Sequence, residues 1–197
     1  KYLLEMNLRY DGSSKFRPEN RWDFFYGFSG GWRLSEEEFM KNVKFVNELK
    51  LRLSYGVVGN QSGISRYDGM QLYNFNSVNG AYIGDGRISY IKTSGEIATM
   101  GRSWERIHNY NLGLDFHLFD SRLQGTVELF MKKNNNMLIA VAYPGILGDK
   151  APASNSGKFE AKGYEGTVTW SDKIGKVNYH VGGTFTYADN KLVDYGG

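Results

Sequence analysis

Apolar and polar residues alternate along most of this chain, which is the pattern of β-strands that have two different faces. In the first such segment Tyr2, Leu4 and Met6 point one way, and Glu5 and Asn7 point the other. Seven segments share the pattern, at residues 2–10, 24–32, 49–57, 111–118, 123–131, 164–170 and 178–187. Each can be drawn at about 10 residues, enough to cross a bilayer at a tilt, whereas ordinary globular strands have about 5–6. The pattern therefore favours a membrane barrel over a β-sandwich.

The connections between these segments differ in length in a regular order. Long or polar connections cover residues 11–21, 59–103 and 134–157, whereas tight turns cover 119–122 and 171–176. For residues 33–48 the sequence predicts a short amphipathic helix, with Ser35 as N-cap and Glu36, Glu37 and Glu38 in its first turn. If the strands run up and down, all long loops share one rim, as in outer-membrane barrels. We therefore predict an all-β, antiparallel up-and-down transmembrane β-barrel, of which this chain supplies about seven strands.

Composition narrows the function classes. The chain has 25 Gly, 3 Pro and 15% aromatic residues, a balance that favours β structure. It contains no run of 18 apolar residues, so no transmembrane helix is predicted. The net charge of +3 carries no signature of nucleic-acid binding, and the absence of Cys excludes disulfides, Cys–zinc sites and thiol catalysis.

Enzyme readings find little support. The three histidines, His108, His117 and His180, lie on different segments, although a His-only zinc site needs all of them together. Asp115 and Glu128 could form a carboxylate pair across neighbouring strands, but such pairs arise by chance among 21 acidic residues. The Gly-rich stretch 80–86 lacks the Lys-Ser/Thr of a phosphate loop. We predict no catalytic residue, no metal and no cofactor.

Several stretches are similar to motifs of one transporter family. Residues 9–16 (RYDGSSKF) resemble RxDGSSxF, residues 20–25 (NRWDFF) resemble NRWGxFP, and residues 28–37 (FSGGWRLSEE) resemble SxGWRxSEE of SusC/RagA-type TonB-linked outer-membrane proteins. Residues 49–61 resemble LKLRxSYGxxGNQ, and 104–116 resemble WE…NxGLDF. Residues 122–126 resemble RLxGT, and 157–165 resemble GKxxNKGxE. Asp23, Tyr26 and Ala161 depart from the family pattern. The matches run in family order along the whole chain.

The resemblance implies a role and a set of partners. Residues 1–197 would be part of a TonB-dependent β-barrel domain, with the plug domain and the closing strands outside this chain. The whole protein would sit in the outer membrane of a Bacteroidota-type bacterium and import glycan or peptide nutrients. The TonB–ExbB–ExbD complex would supply the energy through the missing N-terminal region, and a SusD-like surface lipoprotein would cover the loops.

Within such a barrel, the apolar strand face would meet outer-membrane lipid and the polar face would line the lumen. The predicted lumenal residues are Glu5, Arg9, Arg52, Asp115, His117, Glu128, Glu165 and His180. Ligand contacts would come from aromatic residues of the longest loop, which suit sugar stacking and burial of peptide side chains: Tyr67, Tyr73, Phe75, Tyr82 and Tyr90. These side chains could instead pack the loop against itself or against the lipoprotein.

Two alternatives remain open at this stage. A soluble β-sandwich that binds carbohydrate would explain the aromatic residues and glycines, and a porin-like passive channel would share the barrel features. The strand length and loop order argue against the sandwich, and only the family motifs argue against the channel. For a barrel fragment with two open edges, we expect aggregation in water; a folded, monodisperse monomer without detergent would favour the sandwich.

Overall fold

Long antiparallel strands dominate the computed structural model, which describes residues 1–67, 70–76, 82–83, 86–87, 90–93, 101–140 and 152–195. The strands are β1 (Tyr2–Gly12), β2 (Trp22–Arg33), β3 (Val46–Asn60), β4 (Tyr73–Asn76), β5 (Tyr82–Ile83), β6 (Gly86–Arg87), β7 (Tyr90–Thr93), β8 (Glu105–Leu118), β9 (Leu123–Ala140), β10 (Ala153–Ile174) and β11 (Val177–Asp194). Seven of them form one sheet in the order β1-β2-β3-β8-β9-β10-β11. Every neighbouring pair is antiparallel. The sheet is therefore an up-and-down meander, as the alternation predicts.

Two short ladders lie outside this sheet, in the segment between β3 and β8. Strands β4 and β7 pair with each other, and β5 pairs with β6. No helix among the described residues is long and apolar enough to cross a membrane.

The connections fall on two rims. The segments between β1 and β2, β3 and β8, and β9 and β10 form one end, which we call the loop rim. The connections after β2, β8 and β10 form the opposite end, which we call the turn rim. Two predicted connections are shorter in the structure: β9 and β10 extend into the predicted 134–157 loop, and β10 runs on to Ile174, leaving only Gly175 and Lys176 as the turn. Gly175 adopts a φ of 62°, which glycine accommodates without strain.

The helix predicted after β2 is wrong. Two 3-10 turns, Leu34–Glu36 and Glu38–Met40, stand there, and neither has a side-chain N-cap. Between them the backbone at Glu37 is extended, with φ −80° and ψ 150°. The Glu37 carboxylate accepts hydrogen bonds from Trp32 Nε1 at 3.0 Å and Lys1 Nζ at 3.1 Å. These bonds tie Glu37 back to the sheet, so Ser35 caps nothing and the first turn cannot propagate.

The tight turn after β8 has an uncommon backbone. Phe119, Asp120 and Ser121 have φ values of 58°, 57° and 61°. These lie in the left-handed region, which is unfavourable for residues other than glycine. Hydrogen bonds to the end of the β2–β3 connection and to the start of β3 fix this turn. Phe119 N donates to Phe45 O at 2.8 Å, and Ser121 N donates to Asn47 Oδ1 at 3.0 Å.

The buried apolar core lies at the loop rim rather than along the sheet. Phe16, Phe25, Val57, Ile64 and Trp104 form one cluster of buried side chains. The registered pairing of β2 with β3 stops at Gly27 and Gly56, so the two strands are unpaired beside this cluster. The phenyl ring of Phe25 lies against Gly59, where any side chain would clash with it. Loop residues thus fill the opening between the two strands.

Candidate functional site

One face of the seven-stranded sheet is apolar over most of its width. The register places Met6 beside Phe28, Phe28 beside Tyr55, Tyr55 beside Tyr110, and Tyr110 beside Met131. Side chains on this face are open: Leu4 is 91% exposed, Leu53 63% and Val181 67%. Continuous exposed apolar surface of this extent is unfavourable in water. The face therefore requires an apolar surrounding.

The opposite face carries a network of charges centred on Arg52. Arg52 donates from Nε to Asp115 Oδ2 at 2.8 Å and from Nη2 to Asp115 Oδ1 at 3.0 Å, a two-pronged ion pair. Its Nη1 also reaches Glu128 Oε1 at 3.2 Å. Thr126 Oγ1 donates to Asp115 at 3.1 Å. One guanidinium thus joins carboxylates from β8 and β9 to β3.

Gly113 makes this geometry accessible. It pairs with Arg52 on one side and with Glu128 on the other. A Cβ at position 113 would lie 2.8 Å from the Arg52 guanidinium, so the arginine can cross β8 only because no side chain stands there. Arg52 and Glu128 also line an open groove of about 610 Å³, together with Glu5, Lys50 and Asn111. With Ser29 and Ser54, seven of its thirteen lining residues are polar or charged, which suits a wet lumen.

Asp115 and Glu128 are accordingly partners of an arginine rather than an acid–base pair. Among the described residues, no group of three His, Cys, Asp or Glu side chains could hold a metal ion. His117 lies 3.8 Å from Glu48, and His108 Nδ1 meets the Tyr55 hydroxyl at 2.9 Å, so these two histidines are engaged at separate places.

A second polar cluster lies at the base of the loops, around Glu105. The Glu105 side chain is 6% exposed and accepts from Asn60 Nδ2 at 2.8 Å, Asn134 Nδ2 at 3.1 Å and Leu138 N at 2.7 Å. It therefore ties the loop ends of β3, β8 and β9 together. A buried carboxylate with several donors is stable only where those donors are fixed.

Further bonds connect the β1–β2 loop to both ends of the β3–β8 segment. Ser13 Oγ donates to Gln61 Oε1 at 2.5 Å, and Trp104 Nε1 donates to Arg21 O at 3.1 Å. The Trp104 ring lies 5.1 Å from Phe16 and 5.4 Å from Phe25, centroid to centroid. The residues that resemble family motifs at the loop rim thus meet in one place and fix where each loop leaves the sheet.

The aromatic residues predicted for ligand contact lie beyond this base. Tyr67 and Tyr73 are 59% and 65% exposed. Phe75 and Tyr90 belong to the β4–β7 ladder with Tyr73, and Tyr82 pairs with Arg87 in the β5–β6 ladder. The side chains of Phe75, Tyr82 and Tyr90 lie outside the described residues. Their ligand contacts therefore remain a prediction.

Comparison with known proteins decides the family. The family model described as TonB dependent receptor-like, beta-barrel matches residues 1–197. The chain belongs to the TonB-dependent receptor family. It is 33% identical to TonB-dependent receptor SusC of Bacteroides thetaiotaomicron over 171 residues, which cover 85% of this chain and 17% of that protein. It is 31% identical to TonB-dependent receptor P39 of Formosa agariphila over 202 residues, covering 98% of this chain and 18% of that protein.

Solved structures agree with the sheet. The structure of the RagAB peptide transporter superposes on 98% of this chain and 21% of that chain, with a TM-score of 0.83 and 27% identity. The open-open state of the RagAB peptide importer gives a TM-score of 0.84 and 26% identity over 98% of this chain and 20% of that chain. The chain therefore spans about a fifth of the relatives it matches, and the predicted transmembrane β-barrel fold and SusC/RagA resemblance are confirmed.

Membership in this barrel family explains the rings at both rims. Tyr2 stacks on Trp32 at 6.3 Å at the turn rim, and Tyr10 stacks on Trp22 at 5.3 Å at the loop rim. From Tyr2 to Tyr10 the strand rises about 27 Å, or about 21 Å along the membrane normal at a tilt near 40°. An apolar band of about 25 Å between aromatic girdles is typical of outer-membrane barrels. The apolar face is the lipid face of a TonB-dependent receptor.

Sequence reasoning missed the loop base. Asn155, for example, donates from Nδ2 to Ser103 O at 3.2 Å and to Asn136 O at 3.0 Å, which joins β10 to two other segments. A single Asn in a polar loop gives no signal of such a role. The motif residues Asn60, Trp104 and Glu105 were the available signal, since they resemble the family at positions where loops begin and end.

Proposed function

We propose that this chain forms part of the wall and the loops of an outer-membrane active transporter that imports glycan or peptide nutrients with energy from TonB. One observation carries the proposal: a membrane-length meander with a lipid face, a charged face and one-sided loops, in a chain of the TonB-dependent receptor family. The remaining parts, a plug and closing strands, would lie in the rest of the protein, so that residues 1–197 form one part of the barrel domain.

The proposed partners are supported by the SusC and RagAB relatives, and each would meet one rim. A SusD-like lipoprotein would cover the loop rim from outside the cell, and TonB–ExbB–ExbD would act from the periplasm through the plug. The RagAB relatives are named as a peptide transporter and importer. In this role the chain positions and conducts its ligand and performs no catalysis, so the loop aromatics, and not a catalytic pair, would determine selectivity.

Cysteine labelling tests the orientation directly, because these residues contain no Cys. We expect Tyr73→Cys, on the loop segment, to react with a membrane-impermeant maleimide in intact cells. Lys176→Cys, in the turn after β10, should react only after the outer membrane is opened. The unsubstituted protein is the control. Labelling of both positions in intact cells would refute the orientation, and recovery of the protein in the soluble fraction would refute the membrane location.

Transport is tested with labelled oligopeptides and oligosaccharides in cells that lack or carry the protein. Uptake that stops when the proton-motive force is collapsed supports the TonB-driven importer. Uptake that persists would point to a passive channel instead. The soluble β-sandwich is not favoured, because among the described residues no second sheet covers the apolar face.

The loop aromatics are tested by binding. Tyr67→Ala and Tyr73→Ala should each weaken binding of the imported ligand about three- to tenfold, the effect of losing one ring contact. Tyr2→Ala is a matched control, because Tyr2 is 69% exposed but lies at the turn rim. Equal effects at Tyr2 and at the loop positions would mean that the rings support the fold only.

A further inference from the structure

An aromatic groove at the turn rim continues the lipid face. Trp170 lies on that face, opposite Leu123 and Val181. The Phe119 ring is 6.4 Å from Trp170, and the Phe45 ring stacks on Phe119 at 5.8 Å. Phe45 and Phe119 are 52% and 46% exposed. The three rings thus extend the apolar surface past the end of the strands, at the level where lipid headgroups begin.

Charged side chains of both signs share this groove. It has a volume of about 450 Å³ and is lined by Lys44, Asp120 and Arg122 in addition to the three rings. Arg122 is held at 3.2 Å from Asp172, so its position is fixed by a neighbouring strand. Within the described residues Lys44 and Asp120 enter no ion pair, whereas the nearby Glu36, Glu37 and Glu38 are each paired with a basic residue.

We propose that this groove binds the headgroup of an amine-bearing phospholipid, phosphatidylethanolamine, in the periplasmic leaflet. Lys44 and Arg122 would meet the phosphate, Asp120 would meet the ammonium group, and the rings would lie against the glycerol and the first acyl carbons. Two cations and one carboxylate beside an apolar surface complement a phospholipid that carries one phosphate, one ammonium and two acyl chains. The inference rests on the membrane location proposed above.

The left-handed turn contributes to this arrangement. Asp120 is the middle residue of the turn whose backbone is fixed by bonds to Phe45 and Asn47. Its carboxylate is therefore carried on the same turn as the Phe119 ring and is tied to the connection that bears Lys44. A site made from two connections in this way is held together before any lipid binds.

Native mass spectrometry of the full-length protein in detergent tests the site, with phosphatidylethanolamine and phosphatidylglycerol of identical acyl chains as probes. We expect tighter binding of phosphatidylethanolamine. Lys44→Gln should weaken both lipids about fivefold, the effect of one lysine near a lipid phosphate. Asp120→Asn should weaken only phosphatidylethanolamine; Asn tolerates the left-handed backbone, so the turn should remain folded. Lys173→Gln, at the same rim but outside the groove, is the matched control.

Three results would overturn the inference. Lys173→Gln could reduce binding as much as Lys44→Gln, which would indicate a diffuse charge effect. Asp120→Asn could leave the preference between the two lipids unchanged. Glycerophosphoethanolamine, which lacks acyl chains, could compete as well as the lipid, which would indicate a site for a soluble zwitterionic phosphate ester. If the unsubstituted protein fractionates with the outer membrane but binds neither lipid, this site alone is refuted and the proposed function stays intact.

Discussion

Replacing Glu105 by Gln should loosen the loop rim, because the groups around this carboxylate are all donors. Asn60 Oδ1 accepts from Ser62 N at 3.0 Å, and Asn134 Oδ1 accepts from Asn136 N at 3.2 Å. Each asparagine must therefore turn its NH2 group towards Glu105. A Gln side chain has one acceptor oxygen, so its own NH2 group must face either the two asparagine amides or the Leu138 N–H.

The magnitude follows from the bonds that are lost. Hydrogen bonds to a charged group contribute about 1.5–3 kcal/mol and neutral ones about 0.5–1.5 kcal/mol. Glu105→Gln loses at least one bond and weakens the others, so we expect local opening to become easier by about 2–3 kcal/mol. Glu105→Ala strands three buried donors and should cost about 4 kcal/mol or more.

Hydrogen exchange in detergent measures this opening at the amides of Ser62, Asn136 and Leu138. A change of about 2–3 kcal/mol accelerates exchange about 30- to 150-fold. The exposed Glu165, in the middle of β10, is a matched control, and Glu165→Gln should leave these amides unchanged. Acceleration below about threefold in Glu105→Gln, with strong acceleration in Glu105→Ala, would show that an acceptor-only side chain is not needed and would refute the reasoning.

Three further changes test other parts of the structure. Gly59→Ala should cost about 1–3 kcal/mol in denaturant unfolding because a Cβ there clashes with the Phe25 ring, and Phe25→Leu in the same chain should recover part of that loss. Ser121→Val should cost about 1–2 kcal/mol relative to Ser121→Gly, since a β-branched residue is strained in the left-handed backbone; equal stabilities would contradict this. The hydrogen bond from Trp32, followed by that from Lys1, lowers the pKa of Glu37, so its contribution to stability is present above the ordinary pKa of 4.5 and is lost as the pH falls through the lowered value. The Trp32 indole resonance should accordingly titrate with a midpoint below 4.5, and a midpoint at or above it would contradict the assignment.

The strands could be predicted because membrane barrels impose a strict period. Most apolar residues of each of the seven segments lie on one parity, and the register places these parities on one face. A shift of one residue would move a whole apolar set into the lumen, so the sequence pattern is strongly determined there. Strand ends were less predictable: β10 continues past Trp170 through Asp172 and Lys173, polar residues that also occur in turns.

The connection after β2 misled the sequence reasoning for a tertiary reason. Ser35 followed by three Glu is a sound local signal for a helix start. Local preference is weak beside the ion pair and the indole bond that Glu37 makes with Lys1 and Trp32. Trp32 lies only five residues before Glu37, but Lys1, just before β1, is 36 residues away in the chain. A local stretch of sequence centred on Ser35 does not include Lys1.

The bonds at the loop base allow the loops to vary in length and sequence more freely than the strands. Asn60 and Glu105 are paired across β3 and β8, so the segment between them is closed at its root regardless of its length. Doubling the length of a flexible loop costs only about 0.6 kcal/mol in closure entropy. The buried bonds of Glu105 contribute more than that. Residues beyond the base can therefore be lengthened or exchanged with little effect on the barrel, which is why the family motifs lie in strands and loop roots and do not identify the ligand.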